Sequence, residues 1–465
     1  MLVPHPSVRP WLEHRVIHST KDAIGRTRPG LICALLLLVP AAAGGEDLTV
    51  ADAIRRAWSQ NEGLAAASLE ARSARERAGA ASAARLPTLA LSARGVATDE
   101  PMMAFGLKLD EARIGAADFD PARLNSPSLI GGVGLGATLT QPLYAGGRLS
   151  AGAAAARAQA DAGASVLQRR RQEMALSVTE AYFGAEVAAQ GLGFAADVLA
   201  HAQETERFLR ERSAQGLVLE SEVARATAFR AQAEAQRVAA EQRLASARSA
   251  LALFAGEEAR GARLVTPLEP PPAPPGAGAA EGGGAAERPD VRALKAQAEA
   301  ARSAVKVAKG TLLPELFAQV SAETMRSALD QGATWVTGVI GARWQLGLSD
   351  LRAARASESR ADAADAAVRW QERQAAREVE ESRRAIEAAD ARVRSAGEAV
   401  AASESARSLR LARHRQGLLP LTEVLDAEAG LAGARALLLQ ARLEARLARA
   451  QLSLALGEPV EGTEP

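Results

Sequence analysis

The 465-residue chain balances 56 basic against 55 acidic residues, a formal net charge of +1, which argues against the basic face a nucleic-acid partner requires. Aromatic residues make up 3% of it and leave few rings to stack on bases. Three of the five histidines (His5, His14, His18) and the one cysteine, Cys33, fall near the N-terminus; the remainder holds only His201 and His414, so no metal, cofactor or catalytic site is expected.

In chain order, Arg9, Arg15, Lys21, Arg26 and Arg28 precede the apolar run 31–39, which is followed by Pro40 and small residues at 41–45. That order predicts a secretory signal peptide over 1–43. The run is about half of the roughly 20 apolar residues a spanning helix needs. Cys33 sits at its start, so lipid attachment after cleavage is not expected. Beyond the leader no stretch reads as a transmembrane helix, and an exported chain of this kind can cross a membrane only as part of a closed β-barrel.

Segments about 200 residues apart then match in the same order, the sign of an internal repeat. A helical stretch ends at Arg85-Leu86-Pro87-Thr88-Leu89 and again at Leu312-Leu313-Pro314-Glu315-Leu316, where proline stops the helix before a strand. Gln141-Pro142-Leu143-Tyr144-Ala145-Gly146-Gly147-Arg148 corresponds to the segment from Gln345 to Arg352. Gln215-Gly216-Leu217 corresponds to Gln416-Gly417-Leu418. Each half reads helix, strand, loop, strand, long helix, helix. The expected domains are a first repeat over 44–266, a Pro/Gly-rich linker over 267–288, a second repeat over 289–459 and a disordered tail over 460–465.

Periodicity assigns the elements. Val133, Leu135, Ala137 and Leu139 alternate with Gly134, Gly136, Thr138 and Thr140, and Leu316, Ala318, Val320 and Ala322 alternate with Phe317, Gln319, Ser321 and Glu323. This is the two-residue period of strands with one apolar face. Weaker patterns place strands at 88–98 and 335–346. Residues 149–213 form one helix of roughly 100 Å at about 1.5 Å per residue. Its seam of Met174, Val178, Ala181, Ala185, Ala188, Leu192, Ala195 and Leu199, like Val379, Ser382, Ile386, Ala389, Val393, Ala396 and Val400 later, steps by four and three alternately. Such seams predict coiled-coil packing.

Four strands cannot lie open in lipid, so the barrel must close between chains, and three copies supply twelve strands. The residues resemble the TolC-like outer-membrane efflux proteins: Leu-Pro before the first strand of each half, the Gln141–Arg148 segment, and the two glycine turns with Glu423-Val424-Leu425-Asp426-Ala427 after the second. The fold implied is an α+β membrane protein, with a long antiparallel coiled-coil helical barrel and a four-strand share of a trimeric twelve-stranded β-barrel. The function implied is a passive outer-membrane exit duct of a tripartite efflux or type I secretion complex. Its implied partners are two further copies, outer-membrane lipid, a periplasmic adaptor and an inner-membrane transporter of the RND or ABC class. The cargo stays open among drugs, metal ions and polypeptides.

The resemblance makes the tips at Gly216, Leu217, Gly417 and Leu418 the periplasmic entrance that meets the adaptor. Glu423 and Asp426 are three apart and share a helical face, and in similar proteins an acidic pair there lines the closed entrance as stacked carboxylate rings. The first turn offers Glu222 and Arg225 instead. Family members often carry an arginine two residues after the second glycine and a tyrosine three before it; these positions are Leu419 and His414. An alternative latch pairs His414 with Glu222, and histidine's titration near neutral pH would make closure pH-sensitive.

Other classes fit less well. The glycines at 132, 134 and 136 alternate inside a strand and do not bridge strand to helix, as a phosphate loop must. The carboxylates Glu380-Glu381 have no flanking nucleophile or base, so an enzyme is not expected. A periplasmic structural coiled-coil scaffold shares the heptads but leaves the strands unexplained, and a diffusion porin lacks long helices.

Overall fold

The computed structural model describes residues 46–271, 285–328 and 331–460. The expected leader (1–43), most of the expected linker and nearly all of the expected tail lie outside the described residues.

A short strand β1 (Asp47–Leu48) leads into α1 (Val50–Gln60). Thr49 caps that helix by accepting from Asp52 N at 3.1 Å, and Asn61 starts α2 (Glu62–Ala83) by accepting from Leu64 N at 3.2 Å. Past Pro87 the chain extends as β2 (Thr88–Thr98), crosses two short helices, α3 (Pro101–Asp110) and α4 (Pro121–Asn125), and returns as β3 (Ile130–Ala145). Gly146 and Gly147 take φ of 61° and 77° and turn the strand into α5 (Arg148–Ala214). The hairpin closes with α6 (Glu220–Ala255) and ends in β4 (Arg263–Leu264).

The second half repeats the order: α7 (Pro289–Gly310), β5 (Glu315–Ala328), β6 (Gln331–Arg343), α8 (Leu348–Arg415) and α9 (Leu421–Leu456). Lengths agree closely, with 22 residues in α2 and in α7, 67 in α5 against 68 in α8, and 36 in both α6 and α9. Strand β6 starts and stops before the span 335–346 expected for it, because Trp344 to Leu346 already run irregularly toward α8. Among the described residues no helix is long and apolar enough to cross a membrane.

Every member of the two expected seams is buried or half-buried. Most of them are alanine, valine or isoleucine, so the long helices meet through a narrow, small-residue stripe while their flanks stay charged.

Packing thickens midway along the helices. Tyr182 and Phe183 of α5 are fully buried and meet edge to face, with ring centroids 5.2 Å apart. The Tyr182 hydroxyl donates to Leu48 O at 2.7 Å and accepts from Val265 N and Thr266 N, both at 3.0 Å. It thereby ties the parallel pair β1–β4 to the long helix. The Arg446 guanidinium of α9 lies 4.4 Å over the Phe183 ring and donates to Glu269 O at 2.7 Å. Leu268 and Glu269, at the start of the expected linker, are thus packed into this knot, and Val460 joins the same core.

The second half has its own clamp. Arg288, 1% exposed, grips Asp290 with two hydrogen bonds (3.0 and 2.8 Å), Glu378 of α8 at 2.7 Å and Ala455 O of α9 at 3.4 Å. Burial works against both charges; their mutual hydrogen bonds outweigh it, holding the Asp290 carboxyl below and the guanidinium above its ordinary range.

Tyr182→Phe keeps the ring but takes the acceptor from Thr266 N and leaves Val265 N and Leu48 O only the 3.2 Å bond between them. It is expected to cost about 1–3 kcal/mol, seen as a lower unfolding midpoint by circular dichroism of the full chain. An unchanged midpoint would show that the hydroxyl is not a hub.

Candidate functional site: an open sheet and two helical tips

The four longer strands form one antiparallel sheet in the order β2-β3-β5-β6. Register fixes its faces. Leu135 stands opposite Ala93 and Thr324, and Gly136 opposite Ser92 and Glu323. One face therefore carries Leu89, Leu91, Val133, Leu135, Leu139, Val320, Val336 and Ile340, all of them exposed. The other carries Ser92, Arg94, Thr138, Thr140, Gln319, Ser321 and Glu323 beside small glycines. Glycine at 134 lets Arg94 lie across β3 and reach Glu323 at 3.3 Å. The alternation read from the sequence is the one the register places on opposite faces.

Strands of 11 to 16 residues exceed the roughly 9–11 tilted residues that cross a bilayer. At the end where the helices attach, Leu86, Leu313, Tyr144, Trp344 and Leu346 are exposed, a collar of the kind found at a lipid–water boundary. Trp344 Nε1 donates to Leu312 O at 3.0 Å, and Glu315 accepts from Arg148 and Arg343 at 3.0 and 3.1 Å, stapling both halves at this level.

At the far ends of the long helices, Gly216 (φ 72°) and Gly417 (φ 78°) make the turns. The backbone closes them identically, Leu217 N bonding Arg212 O and Leu418 N bonding Arg413 O, at 3.0 and 2.9 Å. Leu217, Glu222, His414, Gly417 and Leu418 line one cleft of about 340 Å³ between the two tips. His414 Nδ1 lies 2.8 Å from Leu419 O, within its own turn, and no hydrogen bond or ion pair joins it to Glu222 among the described residues. Glu423 and Asp426 lie outside this cleft. Glu423 is half-exposed and pairs with Arg410 at 3.3 Å, while Asp426 is exposed.

Sequence reading missed the charges that lock each hairpin. Buried Glu206 of α5 holds Thr227 of α6 at 2.6 Å and pairs with Arg230 at 3.1 Å. In the second hairpin Arg407 pairs with buried Glu428 at 2.6 Å. Glu206 and Arg407 each stand ten residues before a turn glycine, and Thr227 and Glu428 each eleven after, so equivalent sites carry exchanged chemistry. That alignment was available from the sequence, but burial was not. Above the tips, His201, Phe208, Arg212, Arg407 and His414 line a second cleft, of about 500 Å³, between α5 and α8.

Arg407→Ala leaves the Glu428 carboxylate buried without its partner, a loss on the order of 3 kcal/mol. The measurement is protease nicking at the tips, which should quicken, whereas Arg392→Ala at the exposed pair with Glu444 should leave it unchanged.

Comparison with known proteins places these features together. The outer membrane efflux protein family matches residues 53–257 and 285–458. The outer membrane protein VceC of Vibrio cholerae is 21% identical, with 89% of this chain and 97% of that one covered at a TM-score of 0.72. The CmeC outer membrane channel of Campylobacter jejuni is 16% identical (90% and 87% covered, TM-score 0.76), and the MtrE outer membrane channel of Neisseria gonorrhoeae, in its open state, is 21% identical (90% and 91%, 0.72). At these identities the likeness is one of fold. Among curated protein sequences none matches. Repeated hairpins, a sheet with one lipid-suited face and the family match agree: the chain belongs to the outer membrane efflux protein family, a TolC-like protein of the outer membrane.

Proposed function

We propose that three copies of this chain close a twelve-stranded barrel and continue as a helical tunnel, forming the passive exit duct of a tripartite assembly. The observation that carries this reading is the sheet: β2 and β6 are its edges, and its exposed apolar face cannot stay in water nor its edges in lipid. Pairing β6 of one copy with β2 of the next satisfies both. A periplasmic adaptor meets the tips at Gly216, Leu217, Gly417 and Leu418, and an inner-membrane transporter of the RND or ABC class supplies the energy. A structural scaffold would need neither the strands' apolar face nor the collar at Trp344.

Glu423 and Asp426 act as the acidic rings of the periplasmic entrance. Their exposure in the single chain supports this, and Arg410 beside Glu423 sets how much of the first ring's charge is free. Reconstituted in planar bilayers, the full chain is expected to conduct with cation preference, and Glu423→Gln with Asp426→Asn to lower that preference. No conductance from a heat-modifiable, assembled protein would end the duct reading; unchanged selectivity would end the ring.

His414 and Glu222, facing the same cleft, form the latch in the closed entrance. Wild type and His414→Ala should differ in conductance between about pH 5 and 8. Identical profiles would remove the latch and leave the duct untouched.

A further inference from the structure

At the outer end of the sheet the two hairpins differ. Residues 329–330 alone join β5 to β6, whereas residues 99–129 join β2 to β3 and carry α3, a turn of 3-10 helix (Ala116–Phe119) and α4. This longer connection is a built structure. Lys108 pairs with Asp118 at 2.8 Å, Asp118 also accepts from Gly115 N at 2.9 Å, and Phe105 meets Phe119 edge to face at 5.8 Å. Asp120 caps α4 by accepting from Ala122 N at 2.9 Å.

Its inner side is buried against the strands. Ala104, Leu107 and Glu111 are at most 5% exposed in the single chain, and α3 touches β3, β5 and β6. The Glu111 carboxylate lies over Gly132, where a Cβ would collide with Oε1. Its ion-pair partner is Arg113 Nε at 2.9 Å. Between them Ala112 adopts φ 55°, the one positive φ outside glycine among the described residues. Strain of this kind persists only where the surroundings impose it. Register decides which side of the sheet is covered. Gly132 shares its face with Gly134 and Gly136, and hence with Arg94, Ser92 and Glu323, the polar face turned away from lipid.

We propose that residues 99–129 form a size-limiting constriction across the outer mouth, seated on the lumen wall by Glu111 over Gly132. This rests on the duct reading above. In a closed barrel the segment projects into the bore, and each copy adds one. The smallness of residue 132 is what lets the carboxylate approach; a side chain there takes the space of Glu111 Oε1 and displaces the carboxylate from this seat.

The test uses Thr337→Cys, an exposed position on the polar face deeper in the barrel, in a Cys33→Ser background. Whole cells are treated with a small charged thiol reagent or with a polyethylene-glycol maleimide several kilodaltons in mass. With the native loop only the small reagent should react; with residues 101–127 replaced by a short Gly-Ser turn, or with Gly132→Val, the polymer should react as fast as the small reagent. Heat-modifiable migration checks assembly, and Glu111→Ala replaces Gly132→Val if that variant does not assemble. Equal polymer labelling in all variants overturns the constriction and leaves the lumen intact. Opening by loop replacement but by neither point variant overturns the Glu111 seat. No labelling in any variant, by either reagent, overturns the lumen itself and the proposal with it.

Discussion

A strand at the edge of a sheet exposes amide and carbonyl groups that water can satisfy and hydrocarbon cannot. This chain has such edges at β2 and β6 and an exposed face of leucine, valine and isoleucine between them. Much of the remaining architecture follows from that conflict. The edges call for a neighbour identical to the chain itself, since β6 and β2 are what each copy offers. In the proposed assembly the helices attached to the strands are carried into a ring with the barrel. A long, narrow alanine seam suits that arrangement, because helices sharing a ring have two lateral neighbours and cannot spend a wide face on either.

Long helices joined by small-residue seams have little to hold their relative heights. The knot around Tyr182 and the clamp around Arg288 supply this. One hydroxyl joins the first described residues, the start of the linker and the middle of α5, and one guanidinium joins the start of α7 to α8 and α9. Both sit where the chain changes direction between halves. Sheet register above and turn position below are therefore set from a common middle, and the staple of Arg148, Glu315 and Arg343 repeats the arrangement at the junction with the strands.

Legibility in the sequence followed the period of each element. Alternation over 133–140 and 316–323 gave the faces of β3 and β5, and the seams of α5 and α8 emerged buried or half-buried as read. Trp335 to Leu346 misled because an aromatic-rich collar is apolar whether or not it is strand, so β6 was placed too late. Tyr182 and Phe183 were invisible for another reason. Their value lies in contacts with residues more than 80 positions away, which no local pattern encodes. The tips were found through glycine, but the cleft they share with Glu222 and His414 depends on how two distant hairpins pack.

The two halves run the same course yet are not interchangeable, and the differences fall at the two ends. At the tips Glu206 and Arg407 occupy equivalent positions with opposite charge, so each hairpin must satisfy its lock from its own second helix. After the turns the first half has Glu222 and Arg225 where the second has Glu423 and Asp426, which confines the surplus negative charge to one hairpin. At the opposite end only the first half carries a structured connection between strands. In a ring of copies, equal halves would give alternating staves of the same kind; unequal halves give two kinds. The repeated middle then keeps the wall regular, and the variable ends give the tips and the outer mouth separate properties.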